Sequence, residues 1–562
     1  MTLRDRLSAP QKSPWLVPAL ISCALGPVLA YLALSEGHLG IIAHSATITL
    51  ALWLALALAG RRLLPAAIWT SGLVWLVVLI STAKRGADLM VFHAYDLVFY
   101  LSDYDALTKI ITHQTAWLAA GLTLLLTTVW LAQAARRLEP LRTDRFGLMV
   151  ATCAMAALAS AISLTKEERR HTQFYWEDRY LSSFYSSFVE TLQTLVQGEM
   201  VATARSSQRA SLTPPEHCAP EHKPPHIILI HLESVFAPSQ FAQLPYDKRL
   251  DQFFRSDDGL SHQLRVETYG GASWLTEFSV MTGLSTRAFG GMKSFVQTYM
   301  INRIGDTLPQ VLTRCGYRNA MFYPMLKSFI SAASFYRSVG IPLIFDAKDQ
   351  NAPGVTARDQ FYYANALDHI AKQLAETSAP TFTFIETMFT HWPYDEALEP
   401  QETVPGGGND PQMNEYLRRL WFSYQDFEEL KRALHMRFPG EPFLIVGYGD
   451  HHPTVTQPLI NIPKDRDAED VVLLPESAGF ITPLILQGVG FKLDTGLPAG
   501  PVDVAYVPSM ILQAARLPLP PSHAERLSLM QRCEGRYFNC KSEAEIRDFH
   551  RRLANAGLLK QR

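Results

Sequence analysis

The chain predicts a five-helix transmembrane bundle followed by an α/β domain with a mostly parallel central sheet. Two observations carry this: apolar residues crowd before position 166, and beyond about 226 short apolar strand runs alternate with helical stretches. Hydrophobic residues make up 48% of the chain and charged residues 19%, more apolar than an ordinary soluble enzyme. That excess belongs to the first third of the chain, so it is read as membrane crossings.

Runs at 15–34, 41–60, 64–82, 115–135 and 146–164 each have about the length a helix needs to span a bilayer. A signal peptide would account for the first run only. Arg4, Arg6 and Lys12 precede the first span, Arg61 and Arg62 separate the second from the third, and Arg136, Arg137, Arg142 and Arg145 separate the fourth from the fifth. Basic loops stay in the cytoplasm, so five crossings place everything after about residue 166 on the outer face. Lys84 and Arg85 run against this rule but are outnumbered, and Asp88, Asp96 and Asp103 follow them.

A connecting region occupies 167–225. Its first half carries Phe174, Tyr175, Trp176, Tyr180, Leu181, Phe184, Tyr185, Phe188 and Leu192, the stripe of an amphipathic helix that either lies at the membrane interface or packs on the globular domain. Its second half turns polar and proline-rich, as a linker does. Phe92, Tyr95, Val98 and Phe99, in the long outer loop, are read as dipping into the headgroups.

The exported domain runs over 226–525, with a C-terminal extension at 526–562. Its clearest strands are 227–232, 319–323, 381–387, 443–448 and 482–487. Cys23 and Cys153 fall inside spans, whereas Cys218, Cys315, Cys533 and Cys540 fall in the exported part, where disulfides form. Cys533 and Cys540 are close enough to close a small loop, leaving Cys218 with Cys315, although four cysteines allow three pairings.

Two strand runs end in metal-ligand side chains. His226-Ile227-Ile228-Leu229-Ile230-His231-Leu232-Glu233 is one, and Gly447-Tyr448-Gly449-Asp450-His451-His452 is the other. Functional groups collect at the carboxyl ends of strands in open α/β sheets, which brings Glu233, Asp450 and His451 to one sheet edge. Two carboxylates and an imidazole suit zinc or manganese and leave a coordination position open. Ser273, in Tyr269-Gly270-Gly271-Ala272-Ser273-Trp274, is the candidate to fill it. The residues after it look helical, with Trp274, Phe278 and Met281 on one face and Gly283 as a stop. A plain helix cap is the competing reading of Ser273.

Taken in order, these segments resemble the lipoteichoic acid synthase and phosphoglycerol transferase branch of the alkaline phosphatase superfamily. The resemblance rests on Leu232-Glu233-Ser234, the segment Gly270-Gly271-Ala272-Ser273 with Glu277-Phe278, the loop Thr390-His391-Trp392-Pro393-Tyr394, and Gly449-Asp450-His451. It implies a sulfatase-like fold and one divalent metal ion, manganese or zinc. The ion would be held by Glu233, Ser273, Asp450 and His451, with Ser273 as nucleophile and His391 contacting the substrate phosphate. Family members usually carry threonine where this chain has Ser273, and serine offers the same hydroxyl.

The implied reaction moves a phospholipid headgroup phosphate, most often phosphoglycerol from phosphatidylglycerol, onto an envelope glycan or polymer. Phosphoethanolamine transfer from phosphatidylethanolamine, a membrane-anchored phosphodiester hydrolase and a non-catalytic envelope-assembly partner are the alternatives. Sulfate hydrolysis is disfavoured, because the formylglycine signal Cys/Ser-x-Pro-x-Arg is absent where Ser273 is followed by Leu275 and Glu277. A second ligand set, as two-metal phosphatases need, is not evident in the sequence. A net charge of −2 gives no basic face for nucleic acid. The expected location is the inner, cytoplasmic membrane, with the catalytic domain on the periplasmic or extracellular side.

Overall fold

The computed structural model describes residues 15–36, 39–88, 91–94, 96–97, 114–139, 142–164, 179–197, 211–327, 329, 332–408, 410–460, 477–493, 496, 498 and 500–560. The chain divides into two compact units, Met1–Gln193 and Thr194–Arg562.

The first unit contains α1 (Leu16–Ser35), α2 (Leu39–Gly60), α3 (Leu63–Asp88), α4 (Thr115–Leu138) and α5 (Arg145–Leu164). All five carry stretches long and apolar enough to cross a membrane. They coincide with the expected spans to within a few residues at each end. α2 packs on α5, α3 packs on α4, and α1 and α2 both pack on α3.

The two basic loops lie at one end of this bundle. Glu139 accepts from the first two backbone N–H groups of α3, Leu63 at 3.0 Å and Leu64 at 2.8 Å, and the Thr143 N–H donates to the Arg61 carbonyl at 3.0 Å. Lys84, which broke the charge pattern in the sequence, is buried and paired with Asp96 at 2.8 Å.

The aromatic stripe of α6 (Tyr180–Gln197) adopts neither expected environment in full. Leu181 and Tyr185 pack with Val28, Leu32 and Val74 of the membrane helices, and Glu36 caps the helix start through the Leu181 and Ser182 N–H groups. Phe92 is likewise buried, stacked on Phe184 at 5.3 Å, where the sequence had placed it among headgroups. Phe174, Tyr175, Trp176, Tyr95, Val98 and Phe99 lie outside the described residues.

The second unit is built on an eight-stranded sheet. Its strands are β1 (His226–Leu232), β2 (His262–Arg265), β3 (Arg318–Phe322), β4 (Leu343–Phe345), β5 (Thr381–Glu386), β6 (Phe443–Gly449), β7 (Ile481–Val489) and β8 (Val502–Asp503). Their order is β4-β3-β5-β1-β6-β7-β2-β8. The run β4-β3-β5-β1-β6 is parallel throughout, while β7 is antiparallel to both β6 and β2. The sheet is thus mostly parallel, as the sequence predicts. β2, β4 and β8 are only 4, 3 and 2 residues long, too short for any periodicity to mark them.

β1 explains its own position. Every residue from His226 to Leu232 is buried, as a central parallel strand covered on both faces requires. Ile228, Ile230 and Leu232 face a core shared with the long helices at Asp359–Glu376 and Pro411–Arg437. Burying each of these side chains contributes about 1.5–3 kcal/mol. The odd-numbered residues face the other way, toward α7 (Ser273–Thr282). Disulfides join Cys218 to Cys315 and Cys533 to Cys540, the pairing anticipated from spacing.

One helix start carries a charge penalty. Burial and the Asp426 carboxylate push the Asp359 carboxyl up to about 7, although Arg358, paired with Asp426, partly offsets it. An acid whose folded pKa is raised binds its proton more tightly in the folded state, so stability falls as pH climbs from the unfolded value of about 4 to about 7. Asp359→Asn is expected to raise Tm more at pH 8 than at pH 5, measured by thermal unfolding of the full chain in detergent. An equal effect at both pH values would refute this assignment.

Candidate active site

The register of two adjacent strands assembles the site. Leu232 of β1 lies opposite Gly449 of β6, so Glu233 and Asp450 leave the sheet side by side. The Ser234 N–H donates to Asp450 Oδ1 at 2.7 Å, and the Ser234 hydroxyl donates to Glu233 Oε1 at 2.8 Å. Ser234 has φ 56°, in the left-handed region, and the Tyr416 hydroxyl donates to its carbonyl at 3.0 Å. A left-handed non-glycine residue costs of order 1 kcal/mol and persists where its surroundings over-determine it. Here it turns the chain so that one residue contacts both carboxylates.

Ala272, directly before α7, is the second such residue, with φ 63° after Gly270 at 73° and Gly271 at 151°. This turn makes Ser273 the first helical residue, not the cap. Its hydroxyl donates to Glu233 Oε2 at 3.0 Å and lies 3.4 Å from His451 Nε2. The capping reading therefore fails, since the hydroxyl points at the carboxylate and not at helix N–H groups. Every residue of α7 after Ser273 is buried, beyond the single face expected from its periodicity. Gly283 ends the helix with φ 69°, and the buried Arg526 donates to the Gly283 carbonyl at 3.0 Å.

His451 is held in one tautomer. Its Nδ1 donates to the His452 carbonyl at 3.0 Å, leaving Nε2 bare, 3.2 Å from Asp450 Oδ2 and 3.5 Å from Glu233 Oε1. His452 points elsewhere: its Nε2 donates to the Ile481 carbonyl at 2.6 Å, its ring stacks on Phe236, and burial lowers its pKa to about 4. Glu233, Asp450 and His451 are buried while Ser273 is half-buried, so the hydroxyl faces the open side of the cluster.

His391 is joined to the cluster through the backbone. The Thr390 hydroxyl donates to the Glu233 carbonyl, and Arg419 donates to the His391 carbonyl at 2.7 Å. His391 Nδ1 faces the Trp392 carbonyl, which leaves Nε2 available. His391 is close enough to act electrostatically on Glu233. Burial alone would raise the Glu233 carboxyl, but His231 foremost among its neighbours outweighs it and the carboxyl is held well below the usual carboxylate range.

Three buried residues were given no role in the sequence reading. His231, Glu277 and Glu386 come together beside the predicted cluster, and His231 belongs to both groups. Burial opposes charge on His231, but Asp450, Glu233 and Glu386 raise its pKa well above the ordinary imidazole value. Burial, reinforced by neighbouring carboxylates, raises the pKa of Glu386 as well. The strand period was the available signal for His231, which precedes Glu233 by two and shares its face. Glu386 is set opposite His231 only by the β1–β5 register.

The residues present fit a divalent cation. Asp450 Oδ2 is buried without a hydrogen-bond partner, and two carboxylates, a bare imidazole nitrogen and a hydroxyl converge on the same place. They are Glu233, Asp450, His451 and Ser273.

Residues 225–482 match the sulfatase family model. Among curated proteins, an uncharacterised protein from Haemophilus influenzae is 25% identical over 244 residues, covering 40% of this chain and 44% of its own length. A Streptococcus pyogenes phosphoglycerol transferase solved with sn-glycerol-1-phosphate is similar at 15% identity and TM-score 0.47, covering 66% of this chain and 94% of that one. A Listeria monocytogenes lipoteichoic acid synthase is similar at 17% identity and TM-score 0.40, over 57% and 78%. The Neisseria meningitidis lipooligosaccharide phosphoethanolamine transferase A is similar at 12% identity and TM-score 0.41, over 91% and 90%.

Two glycines of β6 test the assembly. A Cβ on Gly449 would meet the Val235 carbonyl oxygen at 2.3 Å, whereas one on Gly447 would meet Leu232 Cδ1 at an ordinary 3.4 Å. Gly449→Ala is expected to destabilise by roughly 1–3 kcal/mol or more and to weaken cation binding, while Gly447→Ala leaves both nearly unchanged. Thermal unfolding with and without manganese checks this, and equal behaviour of the two variants would contradict it.

Proposed function

With residues 225–482 read as a sulfatase-like domain of the alkaline phosphatase superfamily, we propose that the chain is a membrane-anchored, metal-dependent phosphotransferase. It moves a phospholipid headgroup phosphate through a phosphoserine on Ser273 onto an envelope glycan or polymer, with phosphatidylglycerol as the donor. The observation that carries this is the Ser273 hydroxyl, half-buried at the start of α7 and 3.0 Å from a carboxylate that shares its cluster with Asp450 and His451.

Glu233, Ser273, Asp450 and His451 would hold a divalent cation, which when bound would lower the pKa of the Ser273 hydroxyl and offset charge on the phosphate oxygens. Ser273 Oγ, its proton given up once to solvent before the cycle begins, enters and leaves each turnover as the alkoxide and forms a bond to phosphorus as the bond from phosphorus to the diacylglycerol oxygen breaks. His391, through its free Nε2, binds the phosphate and gives a proton to that departing oxygen. The neutral diacylglycerol stays in the bilayer. An acceptor hydroxyl then attacks the phosphoserine, its proton passing to His391, and Ser273 Oγ is released. The five apolar helices keep the domain beside a lipid donor.

The domain is placed on the periplasmic or extracellular face. The support is two disulfides in the second unit and two basic loops at one end of the membrane bundle. A reporter fused after the last residue is expected to be active as periplasmic alkaline phosphatase and inactive as green fluorescent protein. The reverse pattern would overturn the orientation.

Incubating the purified protein with manganese and phosphatidylglycerol is expected to add the mass of one headgroup phosphate at Ser273, and Ser273→Ala to abolish the adduct. An adduct with phosphatidylethanolamine instead would reassign the donor. No adduct with either lipid while manganese is bound would count against the transferase reading.

A further inference from the structure

His231 stands two residues before Glu233 on the same face of β1 and is fully buried. Its two ring nitrogens have different surroundings. Nδ1 faces the Tyr448 hydroxyl at 3.2 Å and the Glu277 carboxylate at 3.6 Å. Nε2 faces Asp450 Oδ2 at 3.2 Å and Glu233 Oε2 at 3.5 Å.

His231 Nε2 and Asp450 Oδ2 are both buried, and neither makes a hydrogen bond of acceptable geometry. His451 repeats the arrangement, with Nε2 also 3.2 Å from Asp450 Oδ2 and Nδ1 occupied by a carbonyl. Two imidazoles thus aim the same nitrogen at the same two carboxylates. With Nδ1 protonated on each ring, all four groups turned toward one another are acceptors. Burying such a set is costly unless a proton or a cation lies among them. A metal-ligating histidine commonly donates its other ring N–H to a carboxylate, hydroxyl or carbonyl, which is the environment of Nδ1 on both rings.

We propose that His231 is itself a ligand of the divalent cation, so that the centre has two imidazoles and five protein donors: Glu233, Ser273, Asp450, His451 and His231. This rests on the metal-centre reading above and extends its ligand set. Binding displaces any proton shared between His231 and the carboxylates, as metal binding to histidine does generally. A second nitrogen donor moves the site away from magnesium and calcium, which prefer all-oxygen surroundings, and toward zinc and manganese. The Glu277 and Tyr448 side chains, beside Nδ1 on the far side of the His231 ring, then act as positioning groups that set its orientation.

The test is pulsed electron paramagnetic resonance on the full-length protein in detergent, labelled with 15N-histidine and loaded with Mn2+. Two directly coupled imidazole nitrogens are expected in the unaltered protein and one in His231→Gln. Mn2+ affinity of that variant is expected to fall about 10–100-fold by titration. The count in the unaltered protein stands on its own if the variant does not fold. A single coupled nitrogen, with Mn2+ tightly bound and lost in Glu233→Gln, would overturn the ligand assignment and leave the metal centre intact. Absence of Mn2+ binding, or binding indifferent to Glu233→Gln, would overturn the metal centre as well.

Discussion

The parallel pairing of β1 with β6 is the constraint from which the candidate site follows. Because Leu232 stands opposite Gly449, the next residue of each strand is a carboxylate, and the Ser234 N–H donates to the Asp450 side chain across the gap. A slip of one residue would turn Glu233 and His231 to the opposite face. The slip is resisted by the isoleucine and leucine side chains on the even-numbered positions of β1, which would lose their core contacts at the same time. The apolar half of the strand therefore positions the polar half.

The helix that bears Ser273 is placed from both ends. At its start Gly270, Gly271 and Ala272 turn the chain through three consecutive positive φ angles, which aims Ser273 at Glu233. At its end Gly283 leaves room for the guanidinium of Arg526, whose atoms lie where a Cβ would be. Arg526 also contacts the Ser509 hydroxyl, so a segment more than two hundred residues further along the chain secures the helix that bears Ser273. α7 is 10 residues long, too short to hold its shape without such tertiary support.

Charge is managed differently in the two units. Among the membrane helices, Lys84 and Asp96 are buried as a pair, and Glu36 and Glu139 cover backbone N–H groups at helix starts. Each such group would be costly if left bare away from water. In the second unit, His231, Glu233, Glu277, Glu386 and Asp450 are all buried close together at or beside the strand ends. A structural role alone would be served better by apolar residues of similar size, since buried ion pairs rarely repay their desolvation. This concentration of charge is what separates the site from the rest of the core.

The sequence by itself determined the elements whose physics is local. Five apolar stretches of bilayer length, the β-branched strand ending at Glu233, the glycine turn before Ser273 and the stop at Gly283 are all legible in neighbouring residues, and each is found. Motif order also nominated Glu233, Ser273, His391, Asp450 and His451 as the candidate residues. Only the tertiary structure decided that the aromatic stripe of α6 packs on α1 and α3, that Lys84 is neutralised, and that His231 and Glu386 join the buried charges. Strand register and helix docking are set by contacts among residues far apart in sequence, and such contacts leave no periodic trace. A histidine inside a buried strand reads as core until the opposing strand supplies the carboxylate that faces it.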